Sequence, residues 1–154
     1  MRVRGLLPIV IACAVVALPA CGGNDNDTSE AAYTRDAVAA CLERGGATNI
    51  KKSESGDFTG KIAENGAVEG SVGRTNFALV FEPDAESARS SETVYAAQGG
   101  SWQKGVLLDV LLKRSKNVVL AYERAPTDNA VNVVEGCLGN DAKIDPEIAE
   151  QFGR

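Results

Sequence analysis

Apolar positions along the chain repeat with two periods, and each period names an element. Ala37, Val38, Cys41 and Leu42 fall at i, i+1, i+4 and i+5. That is one face of a helix, with Thr34 able to cap its start and Gly45-Gly46 to end it. Thr48 to Lys52 reads as a short strand. The polar run Ser53 to Asn65 carries Phe58 and Ile62 four apart, the spacing of a short helix. Val68, Gly70 and Val72 then alternate, as do Phe77, Leu79 and Phe81. A two-residue turn at Gly73-Arg74 pairs Val72 with Thr75, Gly70 with Phe77 and Val68 with Leu79, and Gly-X suits a type II′ turn.

Pro83-Asp84-Ala85-Glu86 opens a second helix with Asp84 as its cap. Ala88, Val94, Tyr95 and Ala97 form its weakly apolar face, and Gly99-Gly100 ends it. Gly105 to Leu112 and Val118 to Tyr122 read as a second hairpin around the polar break Lys113-Arg114-Ser115-Lys116-Asn117. A helix over Val106 to Leu112 is the competing reading. Asp109 favours the strand, since alternation sets its carboxylate on the outer face with Leu107 and Leu111. Thr127 caps a last helix whose apolar residues, Ala130, Val133, Val134, Cys137 and Leu138, recur at i, i+3, i+4, i+7 and i+8. Gly139 stops it, and Asp145-Pro146-Glu147 opens a loose terminal turn.

The order helix, strand, hairpin, helix, hairpin, helix predicts an α+β fold. Its sheet is mainly antiparallel, made of two hairpins with helices packed on one face. Residues 33–140 form this single domain, and residues 141–154 are a loose C-terminal tail.

The first thirty residues follow a different pattern. Met1-Arg2-Val3-Arg4-Gly5 is basic, Leu6 to Ala20 carries no charge, and Cys21-Gly22-Gly23-Asn24-Asp25-Asn26-Asp27 turns polar. A basic start and a short apolar run read as a secretory signal, and the run is short for a bilayer span. The junction Leu18-Pro19-Ala20-Cys21 resembles the lipobox of bacterial lipoproteins. Val10-Ile11-Ala12-Cys13 fits the same pattern but lies inside the apolar run, which the lipidated cysteine should end. The resemblance implies that residues 1–20 are a signal peptide, that cleavage falls before Cys21, and that its thiol takes a diacylglyceryl group, with palmitate-type chains inserted in the membrane. Secretion with Cys21 as a free thiol and an uncleaved anchor are the alternatives. Residues 21–32 then form a flexible tether, poor in apolar residues. Two or more acyl chains anchor stably, where one binds marginally.

Four cysteines resolve on this reading. Cys13 leaves with the signal and Cys21 carries lipid. Cys41 and Cys137 remain to pair as a disulfide in an oxidising compartment, stapling the first helix to the last. No C-x-x-C spacing points to redox chemistry instead. In this respect the mature domain resembles small disulfide-stapled secreted domains of high-GC Gram-positive bacteria, a resemblance that implies no activity.

The chain of 154 residues has no histidine. Ser-His-Asp and Cys-His catalysis, His-ligated zinc and haem, and an imidazole switch are thereby excluded. Net charge is −5, and −7 once Arg2 and Arg4 leave with the signal, which speaks against a nucleic-acid partner. Counted from Asp25, the positions that an EF-hand gives to Gly and Glu hold Glu30 and Asp36. Ser101-Trp102-Gln103-Lys104 matches the S-x-x-K of penicillin-recognising enzymes, but K-T-G is absent. Thr127-Asp128-Asn129 echoes S-D-N and is better read as a helix cap. Gly66, Gly70 and Gly73 are turn and strand glycines, not a phosphate loop. Glu82, Asp84 and Glu86 cluster where acidic residues suit a helix start. Lys113, Arg114 and Lys116 form a basic hairpin tip within reach of an anionic lipid or wall polymer.

The expectation is a lipid-anchored binding or interaction domain on the extracytoplasmic side of the cell membrane. It is non-enzymatic, with no cofactor and no metal, and its partners are the membrane through Cys21 and an envelope protein or cell-wall component. The competing expectations are a small envelope hydrolase using the carboxylates of Glu82 to Glu86, and a purely structural envelope protein.

Overall fold

A computed structural model describes residues 32–54, 63–99 and 108–152. The signal, Cys21 and the expected tether up to residue 31, the short helix expected around Phe58 and Ile62, Ser101 to Lys104 and the start of the second hairpin lie outside them.

Among the described residues ten elements follow one another: α1 (Arg35–Arg44), β1 (Thr48–Ser53), β2 (Ala67–Val72), β3 (Thr75–Phe81), α2 (Ala85–Gly99), α3 (Leu108–Leu111), β4 (Leu112–Ser115), β5 (Val118–Tyr122), α4 (Asp128–Gly136) and α5 (Pro146–Phe152). The strands form one antiparallel sheet in the order β1-β2-β3-β5-β4. The β2–β3 hairpin has the expected register, with Val72 opposite Thr75, Gly70 opposite Phe77 and Val68 opposite Leu79. Gly73 takes φ +60°, the left-handed value that opens a type II′ turn.

The α+β class, the antiparallel sheet and the disulfide are as expected, but the helices cover both faces of the sheet rather than one. Val68, Phe77, Leu79, Phe81, Val118, Leu120 and Tyr122 pack with α1 and α4. Val80, Val119 and Ala121 pack with α2 and Ile148 of α5 on the other face. β5 is buried at all five positions. A strand covered on both sides has no polar alternation, because neither face meets water.

The second hairpin begins later than its apolar run suggests. Leu108–Leu111 is a helical turn, as the competing reading held, and the polar residues Lys113, Arg114 and Ser115 belong to strand β4. The turn is only Lys116-Asn117, since Ser115 pairs with Val118. Two helical faces are also shifted. Ala39 is buried where Ala37 is exposed. Ser91, Glu92 and Ala96 join Ala88 and Tyr95 on the inner face of α2, leaving Val94 half-buried and Ala97 exposed. Thr34 stands at the α1 N-cap without a side-chain hydrogen bond, whereas Thr127 Oγ1 accepts from Ala130 N at 3.3 Å.

Residues 141–152 are not a loose tail. Lys143 and Arg114 exchange backbone hydrogen bonds of 2.8 and 3.0 Å along the β4 edge. Ile148 is buried against the α2 face. The free edge of the sheet is thus covered on the β4 side.

The Cys41–Cys137 disulfide joins α1 to the end of α4, with Cα atoms 5.8 Å apart and a sequence separation of 96. In the chain-entropy account, closing so long a loop stabilises the fold by about 4–5 kcal/mol. Both cysteines are half-buried, Cys137 against the larger core, an inert setting for sulfur.

Candidate functional site

The basic tip expected at Lys113, Arg114 and Lys116 does not exist as a patch, because alternation along β4 sends neighbouring side chains to opposite faces. Lys113 Nζ pairs with Glu135 of α4 at 2.6 Å. Arg114 Nε pairs with Glu92 of α2 at 2.7 Å, and Arg114 Nη2 approaches Asp145 at 3.6 Å. Lys116 Nζ sits 4.9 Å from the centroid of the Tyr33 ring. Glu92 Oε1 also accepts from Asp145 N at 2.9 Å, and Arg89 Nε meets Asp145 at 2.9 Å. The basic residues are therefore consumed in holding helices and the C-terminal segment to the sheet.

The acidic residues singled out before α2 do come together. Glu82, Asp84 and Glu86 line one recess of about 340 Å³ with Glu64, Ser87, Ser90 and Ser91. Asp84 caps α2 by accepting from Ser87 N at 2.7 Å, and this hydrogen bond holds its carboxyl below the usual range. Glu82 is buried and accepts a hydrogen bond from the Ser91 hydroxyl, while its backbone carbonyl accepts from Asn117 Nδ2 at 3.0 Å. The recess holds one buried carboxylate already satisfied by a serine and three exposed ones, Asp84 and Glu86 at a helix start and Glu64 before β2. Among the described residues, no group of three or more carboxylates or cysteines is placed to hold a metal ion.

A larger groove of about 470 Å³ lies at the opposite end of the sheet, lined by Asn49, Lys51, Glu69, Ser71, Asn76 and Glu123 with Gly70 and Phe77 beneath. Glu69 and Ser71 stand two apart on β2 and so share a face. Asn76 is the register partner of Ser71. Asn49 sits in a bulge of β1 with φ +56°, and its Nδ2 donates to Ser71 Oγ at 3.2 Å. Asn76 Nδ2 donates to Glu123 Oε2. Amides, a hydroxyl, a lysine and two carboxylates thus converge on one face of the sheet, the composition of a site for a polar ligand. None of these residues carries a sequence motif. The only trace of the groove is polar Asn76 and Glu123 flanking apolar strands.

No family model, no curated protein and no solved structure matches the chain. The functional reading therefore rests on these two recesses and on the N-terminal pattern. Among the described residues no helix is long and apolar enough to cross a membrane.

Proposed function

We propose that the chain is a lipid-anchored, extracytoplasmic binding domain that carries out no catalysis. Its ligand is a hydroxyl- and amide-bearing cell-wall component, a glycan, seated in the groove of Asn49, Ser71, Asn76 and Glu123. The observation that carries this reading is the groove's lining. Neutral hydrogen-bonding side chains outnumber any one sign of charge there, and Asn49, Ser71 and Asn76 are held on strands of the sheet, which suits preorganised recognition. The lipobox-like Leu18-Pro19-Ala20-Cys21 supplies the anchor.

The test is an NMR titration of the mature chain, made unlipidated by Cys21→Ser, with soluble wall-glycan fragments. Amide shifts should concentrate at Asn49, Ser71, Asn76 and Glu123, and Asn76→Ala should weaken binding about tenfold, the effect of one or two lost hydrogen bonds. Absence of shifts at millimolar glycan overturns the ligand assignment. Mass spectrometry of the native protein checks the anchor, since an unmodified Cys21 thiol sinks it.

The acidic recess supports a second reading, a small hydrolase, through one observation: buried Glu82 bonded to the Ser91 hydroxyl. Hydrolysis of an envelope substrate that Glu82→Gln abolishes, with the fold intact, would establish it.

A further inference from the structure

The groove and the point where the tether leaves the domain lie at opposite ends of the sheet. Tyr33 is fixed at one end by the side chain of Asn117 in the β4–β5 turn. Tyr33 N donates to Asn117 Oδ1 at 2.8 Å, and Asn117 Nδ2 donates to Tyr33 O at 3.1 Å. Asn117 Nδ2 and O also bond Glu82 O and Glu82 N, at 3.0 and 2.9 Å, where the chain leaves β3. The aromatic ring of Tyr33 lies under Lys116, and its hydroxyl stands against Gly139. At the other end, Glu123 N donates to Asn76 O at 3.1 Å beside the β2–β3 turn. The length of β5, Val118–Tyr122, separates Asn117 from Glu123, about 20 Å at strand rise.

We propose that the domain hangs from the membrane by its β4–β5 turn end and presents the groove outward, to a glycan of the wall rather than to the bilayer. The orientation rests on the lipid anchor read at Cys21. A body tethered at one end beside an impenetrable surface keeps that end nearer on average, even when the tether is flexible. The anchor read at Cys21 stands only twelve residues before Tyr33, a reach of at most about 40 Å. With the anchored end nearer the bilayer, the groove at the far end of β5 faces away from it.

The experiment uses the lipidated mature chain in vesicles carrying an acceptor dye on their headgroups. A donor dye is placed at Glu86→Cys, at the tether end, or at Arg74→Cys, in the β2–β3 turn. Both positions are exposed. Energy transfer from position 86 should exceed that from position 74 by roughly twofold or more, given a separation near 20 Å along the strands. Equal transfer, or more from position 74, overturns the orientation while leaving the anchor standing. No transfer from either site, with protein lost from the vesicles, overturns the anchor and the orientation with it.

Discussion

Arg114 Nε lies 2.7 Å from Oε2 of Glu92, a carboxylate with no exposed surface. The pair ties β4 to the inner face of α2, and Glu92 also accepts from Asp145 N. Two charges held this far from water gain little over an apolar pair, but one left alone costs a great deal. Arg114→Met, which leaves the buried Glu92 carboxylate without its cation, should therefore destabilise the protein by about 3–5 kcal/mol. The double variant Glu92→Met with Arg114→Met should recover most of that loss. Urea denaturation of the two variants checks this; equal loss in both would show that the charges themselves are needed.

Asn117 uses one side chain to satisfy three backbone groups, Tyr33 N, Tyr33 O and Glu82 O. Asn117→Ala leaves them to find water in a buried place, at about 1–3 kcal/mol. Its sharper signature is local. Hydrogen exchange at the Tyr33 amide should accelerate while amides in the middle of β3 keep their protection. Asn117→Asp retains the acceptor for Tyr33 N, so Tyr33 exchange should fall between the two.

Much of the fold is legible in short-range pattern. The Gly73-Arg74 turn sets the β2–β3 register because turn length and alternation agree. Cys41 and Cys137 pair because they are the two cysteines left in the folded domain. The second layer of helices is also written in the chain, in Val119 and Ala121 filling the gaps between Val118, Leu120 and Tyr122. A five-residue run without polar breaks is a strand buried on both sides. What is not legible is β4. Lys113 and Arg114 look like a solvated loop because their carboxylates, Glu135 and Glu92, lie 22 residues away on two different helices. The groove escapes for the same reason: Asn49, Ser71, Asn76 and Glu123 come from four strand ends with no shared spacing.

Removing the staple tests its contribution to the fold. Cys41→Ser with Cys137→Ser should cost about 2–5 kcal/mol, read as a lowered urea midpoint. Wild-type protein with its disulfide reduced should fall to the same midpoint, which separates loss of the bond from loss of packing by the sulfurs.

Two turn glycines should respond differently to alanine. Gly73 and Gly66 both take positive φ, +60° and +82°. A Cβ on Gly73 meets nothing within 4 Å, so Gly73→Ala carries only left-handed strain, about 1–2 kcal/mol. A Cβ on Gly66 would lie 2.3 Å from Ser53 O and 2.6 Å from Arg35 Nη1. Backbone must move there, so Gly66→Ala should cost clearly more and should loosen the β1–β2 pairing. Equal midpoints for the two variants would refute the close approach.

Stability should have an acid limb, an alkaline limb and a flat stretch between them. Burial pushes the Asp145 carboxyl up, but the Glu147 N–H and the Arg89 and Arg114 guanidinium groups prevail and hold it below its ordinary value. Lys52 holds Asp36 down and Ser87 holds Asp84 down. A carboxyl whose folded value is lowered stabilises the fold fully above its unfolded value, about 3.9 for Asp, and loses that stabilisation as pH falls through the folded value. At the other end, burial and then Glu135 raise the Tyr122 hydroxyl far above its ordinary value. The unfolded chain releases that proton near pH 10 while the native state keeps it, so stability should fall as pH rises past about 10. With no histidine in the chain, no imidazole titrates between these limbs. Urea midpoints measured from pH 2 to 11 should thus be level from about 5 to 9. Asp145→Asn should shrink the acid limb, and Tyr122→Phe the alkaline one. A step near pH 6.5 in the wild type, or an unchanged acid limb in Asp145→Asn, would contradict this assignment of the ion pairs.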